Sequence, residues 1–333
     1  MAAVDDAHQT FTTGCVQWLA VTMTPRPLPH IVEVAAPELD SRVRIFRCGR
    51  LVDSWAILTE RFVVVVDTMI SPETASQIMA FLRLEQAAHP QRQLLVINTH
   101  GDWDHCWGNG IFDGPDAPYR APIIGHEATR RLFQADSAEA WLRESRLANL
   151  GWYDSVRLVL PSIEFEKRLV IDGGDLALHL IPTPGHTADH VVVWIPEISL
   201  LMAADAAELP MPFIGERSNL DDLRRSLTLM LDLQAEVVLY AHGADIRSPS
   251  LIRHNIWYFE EAARRCRTAL AAGCAPDDTS PTSLAWPMEA IMPVGMTFDD
   301  YETVEFYRNA HTRAVKAVAN HVCHPGHKAT LKI

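Results

Sequence analysis

Between residues 98 and 110 the chain reads Asn-Thr-His-Gly-Asp-Trp-Asp-His-Cys-Trp-Gly-Asn-Gly, and the six positions from 100 to 105 hold His100, Asp102, Asp104 and His105. Imidazoles and carboxylates alternating in so short a span compete for partners unless a cation holds them. The pattern therefore points to metal ligation rather than to a solvated turn. The apolar run 94–97 directly before it reads as a buried strand, so the ligands sit where a stiff element opens into a loop.

Three later places repeat that design. His186, in Thr183-Pro184-Gly185-His186-Thr187, follows the apolar stretch 176–181; Asp205 follows 200–204; His242, in Tyr-Ala-His-Gly, follows 237–240. A histidine at one strand end is weak, because most are hydrogen-bonded bystanders. Four such ends in order form a ligand set.

The elements that must position these residues follow from hydrophobic period. Alternation at 42–46 and the stretches 55–59 and 62–66 read as strands, the last a β-branched run buried on both faces. Ser71-Pro72-Glu73 is a cap with proline at the first helical position, opening a helix to about residue 88. Strands are expected at 94–97, 121–125, 169–171, 176–181, 191–195, 200–203 and 236–240, with helices at 126–134 and 219–231. Residues 136–165 read as helix then loop, where Trp141, Trp152 and Tyr153 are open to two readings, pocket wall or core. Past residue 248 a long helix runs to Gly273, and Asp299 with Glu302 makes a capping-box-like start to a last helix. Two groups of strands interleaved with helices predict two packed sheets with helices outside.

Composition bounds the function. The 333 residues carry 29 Lys and Arg against 42 Asp and Glu, a net charge of −13, which disfavours nucleic acid as a partner. No apolar run reaches the length of a membrane span. The apolar patch 15–23 lacks a basic flank and is interrupted by Gln17, so it does not read as a signal peptide. The six cysteines have no framework spacing, which fits reduced thiols and a cytoplasmic location.

Taken in order, the motifs resemble the metallo-β-lactamase superfamily over roughly residues 42–245. The family's Thr-His-x-His-x-Asp-His, Gly-His-Thr, strand-end Asp or Cys, and last His are matched by His100, Asp104, His105, His186, Asp205 and His242. The run 185–196 looks especially like the zinc β-lactamases. Two departures stand out: Asp102 replaces the second histidine of the first motif, and Asp205 stands where zinc β-lactamases have cysteine, as in glyoxalase II-like hydrolases.

The resemblance implies an α/β (α+β) fold, a four-layer αβ/βα sandwich at 42–248, after a lead-in at 1–41 and before a C-terminal helical extension at 249–333. It implies one metal site of His100, Asp102 and His186 and a second of Asp104, His105 and His242, with Asp205 bridging. The metals would be two divalent ions, zinc foremost, with iron or manganese as alternatives. A metal-bridging hydroxide would attack an ester, thioester, lactone or lactam of a small molecule, with Asp104 orienting it and taking its proton. Asp102 motivates a different class, a diiron oxidoreductase on the same fold, since the flavodiiron branch carries a carboxylate there.

Thr187, Asp67 and His126 are expected as partners that fix imidazole tautomers. His190 either faces the pocket, touching substrate or an anion, or is a strand-end histidine with no role. Cys106 reads as a small buried thiol, and the tail residues His321, Cys323, His324 and His327 match no metal spacing. The C-terminal helices are expected to pack on the sandwich as a pocket wall or a homodimer interface.

Overall fold

The computed structural model describes residues 27–324 apart from 216, 244, 294, 295, 297, 299 and 300. The patch at 15–23, the cap expected at Asp299 and His327 lie outside the described residues.

The first sheet has seven strands in sequence order: β1 (Ile31–Val34), β2 (Val43–Cys48), β3 (Val52–Leu58), β4 (Phe62–Val66), β5 (Gln93–Ile97), β6 (Ile123–His126) and β7 (Ile163–Phe165). Strands β1 to β4 pair antiparallel and β4 to β7 parallel. Helix α1 (Pro72–Ala88) links β4 to β5; it starts at a reciprocal cap in which Ser71 Oγ accepts from the Thr74 N–H and Thr74 Oγ1 accepts from the Ser71 N–H. Helix α2 (Trp103–Cys106) follows β5, and α3 (Ala128–Gln134) and α4 (Asp136–Ala148) follow β6. Strand β1 falls inside the expected lead-in. Its pairing with β2 makes the stretch from residue 31 part of the sheet, a pairing that a four-residue edge strand does not announce by period.

The second sheet comprises β8 (Leu169–Asp172), β9 (Ala177–Pro182), β10 (Val191–Ile195), β11 (Leu200–Ala204) and β12 (Val237–Tyr240), in the order β12-β11-β10-β9-β8. Helix α5 (Leu220–Asp232) joins β11 to β12, whose pairing is parallel. Helices α6 (Ser250–Ala271) and α7 (Tyr301–Cys323) follow.

Alternation along the second sheet builds two cores. Val193, Ile195, Met202 and Leu239 join Val64, Ile97 and Trp55 of the first sheet. Their sequence neighbours Val192, Leu201, Ala203, Val238 and Tyr240 pack instead with Leu223 and Leu227 of α5, Phe259 of α6 and Val315 of α7. A strand that points successive side chains to opposite faces can be apolar throughout only if both faces are covered. The C-terminal helices supply that second cover, so the chain is a sandwich of two sheets with helices outside and a helical extension on one face. No helix among the described residues is long and apolar enough to cross a membrane.

Candidate metal centre

The ligand loop is closed at its base before any ligand is considered. Asn98, just past β5, and Asn109, beyond α2, exchange amide hydrogen bonds in both directions at 2.8 and 3.1 Å, and Asn109 also accepts from Thr68 Oγ1 at 2.9 Å. Both asparagines are buried, so the pair replaces the water their amides would lose. Gly108 lets this loop rest on the chain after β4: a Cβ there would stand 2.0 Å from the Thr68 carbonyl oxygen. Trp103 and Trp107 back the loop against Trp141, Trp152 and Tyr153, with Trp107 5.0 Å from Trp141 and 5.1 Å from Tyr153. The three aromatics with two readings are therefore core that supports α2.

The other ligands arrive at strand ends. Gly185, at φ +144°, lets the turn after β9 press on α5; a Cβ would lie 2.2 Å from Leu223 Cα. Asp205 follows β11 directly, after Ala204 at φ +44°. His242 lies two residues past β12, and its carbonyl accepts from the Leu209 N–H at 3.2 Å.

These segments bring together two groups able to hold an ion: His100 with His186 and Asp205, and Asp104 with His105 and His242. Asp205 Oδ2 is common to both. It lies 3.3 Å from Nε2 of His105 and of His242, and 3.7 Å from Nε2 of His100 and of His186. Asp104 turns Oδ2 to His242 Nε2 at 3.4 Å and Oδ1 to His105 Nε2 at 3.8 Å. His100 Nε2, His105 Nε2 and Asp205 Oδ1 are buried without a hydrogen-bond partner. Converging lone pairs that no protein donor satisfies fit a metal, because leaving them bare costs about 1–3 kcal/mol each.

Asp67 decides which nitrogen points inward. Wholly buried at φ +63°, it accepts from the Thr99 N–H, the Thr99 hydroxyl and His105 Nδ1, each at 2.7 Å. Since the Thr99 hydroxyl donates its hydrogen bond to Asp67, its oxygen is left to accept from His100 Nδ1 at 3.1 Å. Both imidazoles thus carry the proton on Nδ1 and present Nε2 to the centre. Holding a non-glycine residue at positive φ costs of order 1–3 kcal/mol, which these three bonds offset.

The electrostatics ask for positive charge. Burial alone would lower the pKa of His105 and His242, yet Asp205, with Asp104 and other nearby carboxylates, raises both well above the ordinary histidine value. His186 is pushed up to about 9: burial opposes protonation, and Asp102, Asp205 and Glu208 outweigh it. Burial likewise opposes the charged form of Asp205, but His105 and His242 hold it well below the carboxylate range.

Asp102 borders the first group without joining it. Its Oδ2 is 3.3 Å from His186 Nε2 and 3.6 Å from His100 Nε2, while Oδ1 is ion-paired to Arg217. Burial disfavours its charge, but Arg217, His100 and His186 keep the carboxyl well below its usual range. Arg217 has no motif signature, as its loop reads only as a connection before α5. Glu208 is a second residue that motif reading misses. It is buried three positions past Asp205, with Oε1 unpartnered and 3.7 Å from the equally unpartnered Nδ1 of His186. Burial first, then Asp205, raises its carboxyl to about 8. Glu208 was findable only as a carboxylate in the apolar run 206–214.

Of the expected supporting residues, Asp67 bonds an imidazole of the group directly, and His126 and Thr187 bond none. His126 Nε2 donates to the Glu166 carbonyl at 3.0 Å and Nδ1 accepts from the Ala128 N–H at 3.1 Å, so its ring is satisfied locally at the start of α3. The Thr187 hydroxyl is buried without a partner and fixes no imidazole. His190 is wholly buried, Nδ1 2.9 Å from the Thr183 hydroxyl and its ring 5.0 Å from that of His100, and exposes no surface to a substrate. Cys106 is a buried thiol donating to the Asp102 carbonyl at 3.2 Å, and His321 pairs with Asp221.

Comparison with curated proteins gives no match. Solved structures do match. A metallo-beta-lactamase from Pontibacter korlensis is similar at 18% identity and a TM-score of 0.52, covering 68% of this chain and 98% of that one. VMB-1 matches at 15% identity and a TM-score of 0.53, over 71% of this chain and 100% of its own. The DIM-1 metallo-beta-lactamase matches at 17% identity and a TM-score of 0.52, again over 71% and 100%. At these identities the likeness concerns the fold. The sequence model of the metallo-beta-lactamase superfamily matches residues 49–242, the stretch that carries every ligand loop described above. With the sandwich and those loops in place, the chain belongs to the metallo-β-lactamase superfamily.

Proposed function

We propose that the protein is a dinuclear metal-dependent hydrolase that cleaves an ester, thioester, lactone or lactam bond of a small molecule. One observation carries the reading: a single oxygen, Asp205 Oδ2, stands 3.3 to 3.7 Å from the inward nitrogen of four histidines drawn from two ligand groups. Four imidazoles and two carboxylates suit zinc, the proposed ion; iron and manganese accept the same donors. Two divalent ions there would acidify a bound water and polarise the carbonyl under attack.

The chain's own residues do the rest. Asp67 and Thr99 hold protons on Nδ1 of His105 and His100, so Nε2 stays free to coordinate. Asp104, between the centre and solvent with 7% exposure, is placed to take the proton of the attacking water. Phe213, 6.1 Å from His186 and stacked on Phe306 of α7, gives one side of the site an apolar wall. This supports a pocket-wall role for the C-terminal helices, whose apolar faces already lie on the second sheet. The diiron alternative stays a second reading: its motive is the carboxylate Asp102, whose Oδ2 faces His186 and His100 while Oδ1 pairs with Arg217. Cytoplasmic residence is proposed on the free state of the described cysteines.

Metal analysis of protein prepared without chelators is expected to give two ions per chain. Turnover across a thioester, lactone and lactam panel is expected to vanish in Asp104→Ala with the fold retained. Unchanged rates, or visible absorption that responds to reductant and oxygen, would refute the hydrolase.

A further inference from the structure

Helix α6 belongs to the C-terminal extension, and its buried face carries Leu251, Ile252, Asn255, Tyr258, Phe259 and Ala262. An amide in the middle of an apolar stripe has to find protein partners, because burial removes its water. Asn255, wholly buried, finds both on one residue: its Oδ1 accepts from the Glu208 N–H at 3.0 Å, and its Nδ2 donates to the Glu208 carbonyl at 2.8 Å. Neighbouring bonds fasten the same segment. His254 Nε2 donates to the Pro210 carbonyl at 2.9 Å and to the Ile291 carbonyl at 2.8 Å, and the Leu209 N–H donates to the His242 carbonyl at 3.2 Å. The main chain at Glu208 is thus set by a side chain of the extension.

Glu208 in turn stands behind His186. Nε2 of that ring faces the centre, 3.3 Å from Asp102 Oδ2 and 3.7 Å from Asp205 Oδ2, while Nδ1 faces Glu208 Oε1 at 3.7 Å. A ring that coordinates through Nε2 carries its remaining proton on Nδ1 and needs an acceptor there. Nδ1 and Oε1 are both buried without a partner, and 3.7 Å is too short for a water to join them in line, which takes two hydrogen bonds of about 2.8 Å. Each atom is what the other lacks.

We propose that Asn255 is a positioning residue for the metal centre: by fixing the Glu208 main chain it keeps the Glu208 carboxylate behind His186, where Oε1 accepts from Nδ1–H when Nε2 is coordinated. This rests on the two-metal reading above. His105 and His100 are steadied from the first sheet, through Asp67 and Thr99, and the helical extension supplies the counterpart for His186. The extension then has a part in holding metal as well as in walling the pocket.

The test is chelator competition for zinc on the loaded, full-length protein, the His186 site being the one lost in His186→Ala. Glu208→Met, of similar length and without an acceptor, should weaken that site by up to about a hundredfold, and Asn255→Ala by about tenfold. On the Glu208→Met background Asn255→Ala should weaken it no further, because the amide acts through the carboxylate. A merely structural Asn255 would lower stability to urea in both backgrounds and leave zinc affinity alone. In the loaded wild type the His186 Nδ1 proton should give a slowly exchanging downfield NMR resonance that Glu208→Met removes. If the alanine variant does not fold, Asn255→Ser, which keeps a hydroxyl against the Glu208 main chain, takes its place. Unchanged zinc affinity in Glu208→Met or in the Asn255 variant, or an equal loss without Glu208, would overturn the inference while leaving the hydrolase intact. Failure of wild type to bind zinc would remove both.

Discussion

The two halves of the centre share Asp205 and differ in how their histidines are held. His105 is fixed by a 2.7 Å bond from Nδ1 to Asp67, a wholly buried carboxylate that also reaches His100 through Thr99. His186 has no such bond. Its Nδ1 faces Glu208 Oε1 across 3.7 Å, both atoms unpartnered, and its metal-facing side adjoins the Asp102 and Arg217 pair. A continuous hydrogen-bond chain from Asp67 preorganises His105 and, in the other group, His100, whereas His186 and the side chains around it come from the second sheet and the loop before α5 without such an anchor. Where tautomer and ring orientation are fixed in advance, metal binding has less ordering to do.

The largest effect should come from breaking the preorganised side. Asp67→Ala leaves the Thr99 N–H and the His105 Nδ1–H buried without an acceptor, and should cost about 3–5 kcal/mol of stability, as for other broken buried charge pairs. Urea unfolding measures this, and loss of both ions should accompany it; a variant that keeps its metals would erase the distinction between the halves.

His186→Ala should act on one half only. Metal content is expected to fall from two ions to one per chain with the fold intact, and loss of both would show that the halves do not bind separately.

Acidity should weaken metal binding at the His186 half, as it should wherever a histidine of raised pKa must lose its proton. The carboxylates around His186 push it up to about 9 and burial pushes Glu208 beside it up to about 8, so His186 must release a proton as its half fills, and Glu208 is expected to follow as the charge beside it grows. Affinity there should rise with pH, by up to about tenfold per unit for each proton released, and flatten above about 9. Zinc titrations in buffers of different ionisation heat count those protons, and a pH-independent affinity would exclude the coupling.

The smallest change is expected from Glu208→Gln, which keeps the shape but removes the carboxylate facing His186. Zinc affinity of that half should fall about tenfold. An unaltered affinity would mean that the 3.7 Å gap does not close when metal binds.

Much of this was legible in the chain because it is written in local order. His100, Asp104 and His105 follow one strand within one loop, and His186, Asp205 and His242 each follow another, so strand period and residue type sufficed. Asp67 was legible for the same reason, as the residue that ends β4. What stayed hidden depends on contact across sequence distance. The Arg217 pairing with Asp102 spans 115 positions, and Glu208 faces His186 only because the segment after β11 folds back over the β9 turn. His126 and Thr187 misled for the converse reason: proximity in sequence to a strand end does not fix what a ring or hydroxyl touches. Strand β1, four residues long at a sheet edge, is defined by its pairing with β2 rather than by its own pattern.

The reciprocal amide pair of Asn98 and Asn109 has a consequence for how the chain tolerates change. By joining the two ends of the ligand loop it turns the ten intervening positions, 99–108, into a closed ring whose circumference is set independently of the metal. Insertions are usually absorbed by loops, but one added residue here would have to bulge against Trp103 and Trp107 or part the two amides. The loop that looks most like a surface connection is therefore as fixed in length as a strand.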